Sequence, residues 1–495
     1  MSIQQHQQQQ LDFFSALNLV KPSGLIGRHF VPEVITKELA IGGVGGKRKI
    51  RLSSNWLPLM GFSAGDRHDV APVGKMNGLE LTFSAKGKQK VYQRTYNKRK
   101  NNPLETVIEI GSQSVLDAAI PSYTERVHFT MSAGRILVRP LPNHTFSIRK
   151  RQKDAGSMPL QAFLAMSSGI DGRCLVDCGF EIDSLLEFRP NEKRDNRDLT
   201  ETGALNALAN ISPRLLINED ISRVNWNMVR EHVEAGPQIA IAHISLQCDD
   251  FSVAKANKFK QQSIDDLSTT RDLVYDALRM IETIMPTTVV VENVSGFMNA
   301  AEGMLLSIKL RKWGYHVTEA ILQAGEFGGF TRRERYYLVA SVYPDFAMPV
   351  GGEMRSESIW TEIEPFLDGC RDVSHTKSLQ DGLTGGRARL IRPNSCVSPT
   401  MLKSQSRQCK DAVYIEMPDG RYLFPSLELI QHLQGIPSDM DFSSNASELH
   451  SEIMGQSIDY PMHHAVVKAV HEHLCANIGQ FTAVNVRQSS GVKQI

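Results

Sequence analysis

Between residues 160 and 341 the chain alternates short apolar runs with stretches of helical periodicity, and no other feature restricts its fold as strongly. The runs at 160–166, 184–188, 214–218, 239–246, 288–291 and 336–341 have the length and composition of strands covered on both faces. Between several of them lie amphipathic stretches. The clearest, 272–284, puts Leu273, Val274, Ala277, Leu278, Ile281 and Ile284 at helical spacing. Alternation of this kind predicts an α/β unit, a mostly parallel sheet wrapped by helices. In such sheets a ligand lies beyond the carboxyl ends of the strands.

The residues with chemistry to offer fall at those strand ends. Cys248 follows the fourth run, in Ser245-Leu246-Gln247-Cys248-Asp249-Asp250-Phe251-Ser252. Glu292 and Asn293 close the fifth. Thr331-Arg332-Arg333-Glu334-Arg335-Tyr336 opens the sixth and brings fixed cations to the same edge. Taken singly, the cysteine reads as buried filler and Glu-Asn as a helix cap. Taken together they supply a soft nucleophile and a carboxyl group beside it. Addition of a thiolate to C6 of a pyrimidine, with a carboxyl at N3 to stabilise the developing charge, needs that pair. The set therefore points to chemistry on cytosine. Glu187 ends the second run, where an acidic residue commonly accepts hydrogen bonds from a ribose diol. Asp220 and Ile221, after the third run, suit an adenine: the carboxylate for the exocyclic amine, the isoleucine for the ring. Asp220 alone reads as a helix N-cap.

The length of 495 residues suggests about three structural units. No apolar stretch approaches the ~18 residues a membrane span needs, so no membrane partner is expected. Seven scattered cysteines without an export signal argue for reduced thiols in the cytoplasm. Cys174 and Cys178, four apart, read as helix packing, and no metal is expected. Charge is divided unevenly. Residues 1–155 hold 23 Lys and Arg against 11 Asp and Glu, and the remainder 32 against 43. A basic front half suggests contact with a polyanion. Its strands should begin near Lys47, where charged and apolar residues alternate, and recur at 79–83 and 135–139. The densest basic run contains Lys86, Lys88, Lys90, Arg94, Lys98, Arg99 and Lys100 with Tyr92 and Tyr96 among them, suited to phosphates and to base stacking. The competing reading is a solvated strand edge whose lysines discourage aggregation. The expected organisation is a flexible tail (1–40), a basic β-rich accessory domain (41–155) with a polar linker at 147–156, a catalytic domain (156–480) and a C-terminal tail (481–495).

In this order the motifs resemble the DNA cytosine-5 methyltransferases, over about two-thirds of the chain. The resemblance implies a Rossmann-like catalytic domain, S-adenosylmethionine as cofactor and DNA as substrate. A small target-recognition region (343–400) would help to flip the cytosine. Cys248 matches the nucleophile, Glu292 and Asn293 the Glu-Asn-Val element, and Arg333 and Arg335 the paired arginines, with Arg335 the better placed for the base. Met166, Ser167 and Gly169 match the cofactor loop, and Glu187, Asp220 and Ile221 the ribose and adenine positions. Arg392 through Ser398-Pro399-Thr400 resembles the element that orients the recognition region. Leu433-Gln434-Gly435-Ile436-Pro437 resembles the run before the last motif, and Gln456 and Ser457 lie in the element that completes the cofactor pocket. Four departures stand out: Gln247 replaces the proline before the nucleophile, Asp249 replaces the glutamine after it, the cofactor loop clearly keeps only Gly169, and Phe330-Thr331 replaces the Pro-Gln before the arginines. An anionic Asp249 would raise the pKa of the thiol. The resemblance also brings in a cytoplasmic setting of bacterial, phage or plasmid-encoded type and a cognate restriction endonuclease as partner. The accessory domain offers a surface for dimerisation. Two other readings are the same chemistry on RNA, as in a tRNA-modifying branch of the family, and a catalytically silent DNA-binding regulator.

Overall fold

Seven strands form the central sheet of the larger of two units in the computed structural model, which describes residues 31–97, 103–157, 159–192, 195–252 and 255–480. They are β1 (Leu160–Ala165), β2 (Phe180–Leu186), β3 (Leu215–Ile217), β4 (Ile239–Ser245), β5 (Thr288–Asn293), β6 (His316–Gln323) and β7 (Glu334–Ser341). Their order across the sheet is β3-β2-β1-β4-β5-β7-β6. β1 to β5 are parallel, and β7 runs antiparallel to both β5 and β6. The doubly wound, Rossmann-like sheet follows from composition. Val289, Val290 and Val291 are fully buried, and each apolar side chain so covered stabilises the fold by about 1.5–3 kcal/mol. β6 was not expected from the sequence. It is an edge strand whose residues are mostly half-exposed, so it has no continuous apolar run to reveal it.

This topology sets where chemistry can occur. The strand order reverses between β1 and β4, and their carboxyl ends open a crevice there. The antiparallel β7 brings its first residues to the carboxyl end of β5, with Tyr336 opposite Asn293 and Tyr337 opposite Glu292. The helix Leu273–Ile284 covers the sheet with Val274, Ala277, Leu278, Ile281 and Ile284 buried, the face its periodicity implies. The helix Tyr460–Ile478 buries Val466, Val467, Val470 and Leu474. Neither they nor any other helix of the described residues is long and apolar enough to cross a membrane.

A smaller sheet within the same unit has the order Arg371–Asp372, Tyr422–Phe424, Val413–Glu416, Arg389–Ile391. Val373, Leu379, Ala412 and Tyr414 form its core. The small region therefore runs past residue 400, the expected limit, because two of its strands come after that point in the chain. Ser398 joins it to the segment leading into β7: its carbonyl accepts from Arg332 N–H at 2.9 Å and its own N–H donates to the Phe330 carbonyl at 2.7 Å.

The N-terminal unit is antiparallel throughout its sheets. One has the order Ile35–Ala40, Arg126–Ser132, Arg135–Pro140, Leu79–Phe83, Arg67–Pro72, Gln89–Lys90, and the other Gly42–Val44, Lys47–Ser53, Leu104–Ile110, Tyr92–Thr95. Alternation is legible in the burial: Ile50 and Leu52, Leu79 and Leu81, and Ile136 and Val138 point into the core while their neighbours face outward. Two expectations need correction. The flexible tail does not extend to residue 40, since Ile35–Ala40 pairs along its length with Arg126–Met131. The polar stretch at 147–156 is no linker but most of a helix, His144–Ala155, and the unit boundary falls at Ser147 rather than at 155. The tail expected at 481–495 lies outside the described residues.

Candidate active site

A cavity of about 780 Å³ occupies the crevice, within the range of small-molecule sites. Met166, Ser167, Glu187, Asp220 and Ile221 line it, with Gln456 and Ser457 from the C-terminal segment and Cys248, Glu292 and Arg335 from the strand ends. Of the residues singled out for cofactor and cytosine, Gly169, Asn293 and Arg333 are not in the wall. Each of the three has a structural reason to be where it is. Gly169 has φ +104°, and a Cβ there would lie 2.6 Å from the Ala207 backbone, so only glycine fits. Asn293 donates to the Leu246 carbonyl at 3.0 Å and accepts from Val294 N–H at 2.8 Å, holding the segment after β4 against β5. Arg333 is fully buried and donates to the carbonyls of Met401, Gly455 and Ser457. Burial and the neighbouring Arg335 push its pKa down to about 9.

Arg335 behaves differently. Its guanidinium meets Glu292 at 2.7 Å, and both side chains are about nine-tenths buried. A buried pair holds its geometry because separating it strands a charge. Cys248 sits in the turn after β4, where its carbonyl accepts from Phe251 N–H at 3.0 Å and Ser252 N–H at 2.9 Å. Proline is absent from this turn, and the Gln247 amide instead donates to Asp249 at 3.0 Å, bridging the residues on either side of the thiol. The thiol pKa is raised, chiefly by burial, with Asp249 and Glu292 adding to the rise and Arg335 opposing it. The contribution expected of Asp249 is therefore present but second to desolvation.

The cofactor side of the cavity contains a conspicuous electrostatic asymmetry. Burial, then the charge of Asp171, pushes the Glu187 carboxyl up to about 8, and no donor reaches it among the described residues. A Cβ on Gly203 would lie 2.0 Å from its Oε1, so that glycine leaves room for the carboxyl. Asp171 is also buried, yet it is held at about 2 because the hydrogen bonds of His243 and Ser167 outweigh desolvation. Asp220 is three residues beyond β3 and accepts from Ser222 N–H at 2.9 Å and its hydroxyl at 2.7 Å. It thus organises a turn and caps no helix; the next helix is capped by Asn225. Leu267, Ser268, Thr269, Thr270 and Lys403 also line the cavity. Nothing in their local sequence marks them, since only the fold brings these loop residues to the site.

In the N-terminal unit the positive charge is sorted. Arg48, Lys49, Arg51, Arg126 and Arg135 pair with Asp117, Glu109, Glu38 and Glu80. Lys86, Lys88, Lys90 and Arg94 are exposed on or beside the edge strands Gln89–Lys90 and Tyr92–Thr95, with no acidic partner among the described residues. Lys98, Arg99 and Lys100 lie outside the described residues.

Residues 217–346 match the profile of the C-5 cytosine-specific DNA methylase family. The chain is 24% identical over 271 residues to the type II methyltransferase M.BsuFI of Bacillus subtilis, covering 52% of this chain and 61% of that one. It is 25% identical over 237 residues to the type II methyltransferase M.MspI of Moraxella sp, covering 46% and 54%. The chain thus spans little more than half the length of these relatives. Among solved structures, the S. pombe Dnmt2 methyltransferase aligns with 64% of this chain and 99% of its own, at 17% identity and a TM-score of 0.48. Methyltransferases of this family and fold use S-adenosylmethionine. By the matched segment and its type II relatives, the chain is similar to the C-5 cytosine-specific DNA methylases.

Proposed function

We propose that this protein transfers a methyl group from S-adenosylmethionine to C5 of a cytosine flipped out of DNA, with Cys248 as the covalent nucleophile. The observation that carries the reading is one cavity lined by a thiol, a buried Glu–Arg pair and an unpaired buried carboxyl. The residues fit the cofactor. Glu187 has a carboxyl with no donor among the described residues, suited to a ribose diol; Asp220 and Ile221 suit the adenine; Met166, Ser167, Gln456 and Ser457 suit the remainder. When bound, it supplies the electrophilic methyl group.

The side chains then divide the chemistry. The Cys248 thiolate forms a bond to C6 of the ring and breaks the C5–C6 double bond, with charge accumulating toward C5 and N3. Glu292 engages N3, and Arg335 fixes the Glu292 carboxyl so that it need not reorganise as charge builds. Once C5 is methylated, loss of its proton and expulsion of the Cys248 thiolate restore the double bond. Burial of Cys248 limits thiolate in the resting protein, and the Arg335 charge opposes that effect. The sorted positive charge on the Lys86–Arg94 edge supports the N-terminal unit as a phosphate-binding surface. Seven free thiols are in keeping with the cytoplasm.

The test is bisulfite sequencing of DNA from cells expressing the chain, beside Cys248→Ala. Protected cytosines in one sequence context, lost in the variant while cofactor binding persists, are expected. Protection that survives Cys248→Ala would refute the mechanism. No protection in either would transfer the reading to an RNA substrate or a silent binder.

A further inference from the structure

The helix Asn257–Asp265 lies just after the nucleophile turn, and what holds it is unusual. It buries one side chain, Ser263, and exposes Phe259 and Ile264. Apolar packing therefore does not fix it. A carboxylate, that of Asp250, tethers it through Ser263. Oδ1 of Asp250 accepts from Lys255 Nζ at 2.6 Å and from the Ser263 hydroxyl at 3.1 Å. Oδ2 accepts from the Thr269 hydroxyl at 2.9 Å, Thr270 N–H at 2.8 Å and the Thr270 hydroxyl at 3.3 Å. The Asp250 side chain is 1% exposed. Burial opposes its ionisation, but Lys255 and these donors outweigh that and hold it far below the ordinary carboxylate range.

Two surfaces meet at this carboxylate. One is the turn of Cys248, two residues away, whose carbonyl takes the N–H groups of Phe251 and Ser252. The other is the cavity wall formed by Leu267, Ser268, Thr269 and Thr270. The far end of that wall is held by Arg271, which makes two hydrogen bonds to Glu302, at 2.6 and 3.0 Å. At the near end Asp250 accepts from Thr269 and Thr270. We propose that Asp250 is a positioning residue that binds the Cys248 turn and the 257–270 wall into one piece, so that the thiol faces a pocket of fixed shape. Asp250 is not part of the cavity wall, and it acts through the segments it joins. The proposal rests on Cys248 being the nucleophile.

The test uses the full chain without cofactor. Alkylation of Cys248 by iodoacetamide is followed by peptide mass spectrometry across pH, with the buried Cys174 as a reporter of global opening. Asp250→Ala is expected to raise the limiting alkylation rate of Cys248 roughly tenfold, through access. The midpoint pH should fall with it, because burial is the first cause of the raised thiol pKa and access relieves it. Asp249→Asn should instead lower the midpoint and leave the limiting rate. Amide exchange in 257–270 should rise roughly tenfold in Asp250→Ala while β5 keeps its protection. Should that variant fail to fold, Ser263→Ala removes one tether and keeps the carboxylate, and a smaller rise confined to 257–270 is expected. Unchanged alkylation and exchange in the folded variant, or a parallel rise at Cys174, would overturn the proposal. Methyl transfer persisting in Cys248→Ala would instead remove the catalytic reading and leave the tether intact.

Discussion

Glu187→Gln should make the cofactor-free protein more stable at alkaline pH while weakening the cofactor. The Glu187 carboxyl is buried with no donor among the described residues, and burial with the nearby Asp171 charge raises its pKa from 4.5 to about 8. A carboxyl with a raised native pKa holds its proton in the folded state after the unfolded chain has lost it. The folded state is thus penalised as pH rises from about 4.5 to 8, and the penalty is constant above that. Over pH 5.5 to 8 this is about 2.5 pH units at ~1.4 kcal/mol each, or about 3.5 kcal/mol. Glutamine has the same shape and never ionises, so the variant escapes the loss. Asp171, held at about 2, contributes stability that is lost only on acidification through its native pKa, below this window. Asp459, raised to about 6 by burial, titrates inside the window but is common to both proteins and cancels. Urea unfolding at pH 5.5 and pH 9 measures the effect. The stability difference, variant minus parent, should grow by about 3 kcal/mol between the two. A difference that does not change with pH would refute the claim that Glu187 sits desolvated and unpaired.

Other perturbations act on the same geometry. Arg335→Ala leaves the Glu292 carboxylate buried without its partner, a loss of about 3–5 kcal/mol by urea titration. It also removes the charge that favours thiolate, so the Cys248 alkylation midpoint should move to higher pH. Gly203→Ala drives a methyl group into the Glu187 carboxyl; calorimetry should show cofactor affinity down roughly tenfold or more, with the substitution felt at no strand of the sheet. Neutralising Lys86, Lys88, Lys90 and Arg94 together should reduce the dependence of DNA affinity on log salt by up to about 3.6, roughly 0.9 per phosphate contact. An unchanged slope would make that edge a solvated one.

The sheet was legible in the sequence because its central strands are covered on both faces and so must be apolar throughout. Thr288–Asn293 is buried at every residue, and no solvent-facing position interrupts its signal. The edge strand β6 lacks that constraint and was invisible. The helix His144–Ala155 was hidden for the opposite reason: its charged composition resembles a linker, and only Phe146, Ile148 and Gln152 are buried on it. Strand ends could be located, so Cys248, Glu292, Arg335 and Glu187 could be placed at one crevice. Long-range donors could not, and the residues tied to Asp250 lie up to twenty positions away with no periodicity to connect them.

The paired arginines show why a motif alone does not assign roles. Arg333 and Arg335 are two residues apart, so on a strand they share a face by pattern. Arg333 lies just before β7, where the chain is not yet in the sheet, and its guanidinium turns to three carbonyls of the C-terminal segments. Arg335 is within the strand and meets Glu292 across the β5 register. The first therefore holds Gly455 and Ser457 in place, which sets one wall of the cavity. The second sets the charge beside Glu292 and opposes the rise in the Cys248 thiol pKa. Replacing either should abolish activity, but for different reasons. Loss of Arg333 should first weaken the cofactor, whereas loss of Arg335 should leave cofactor binding and remove the chemical step.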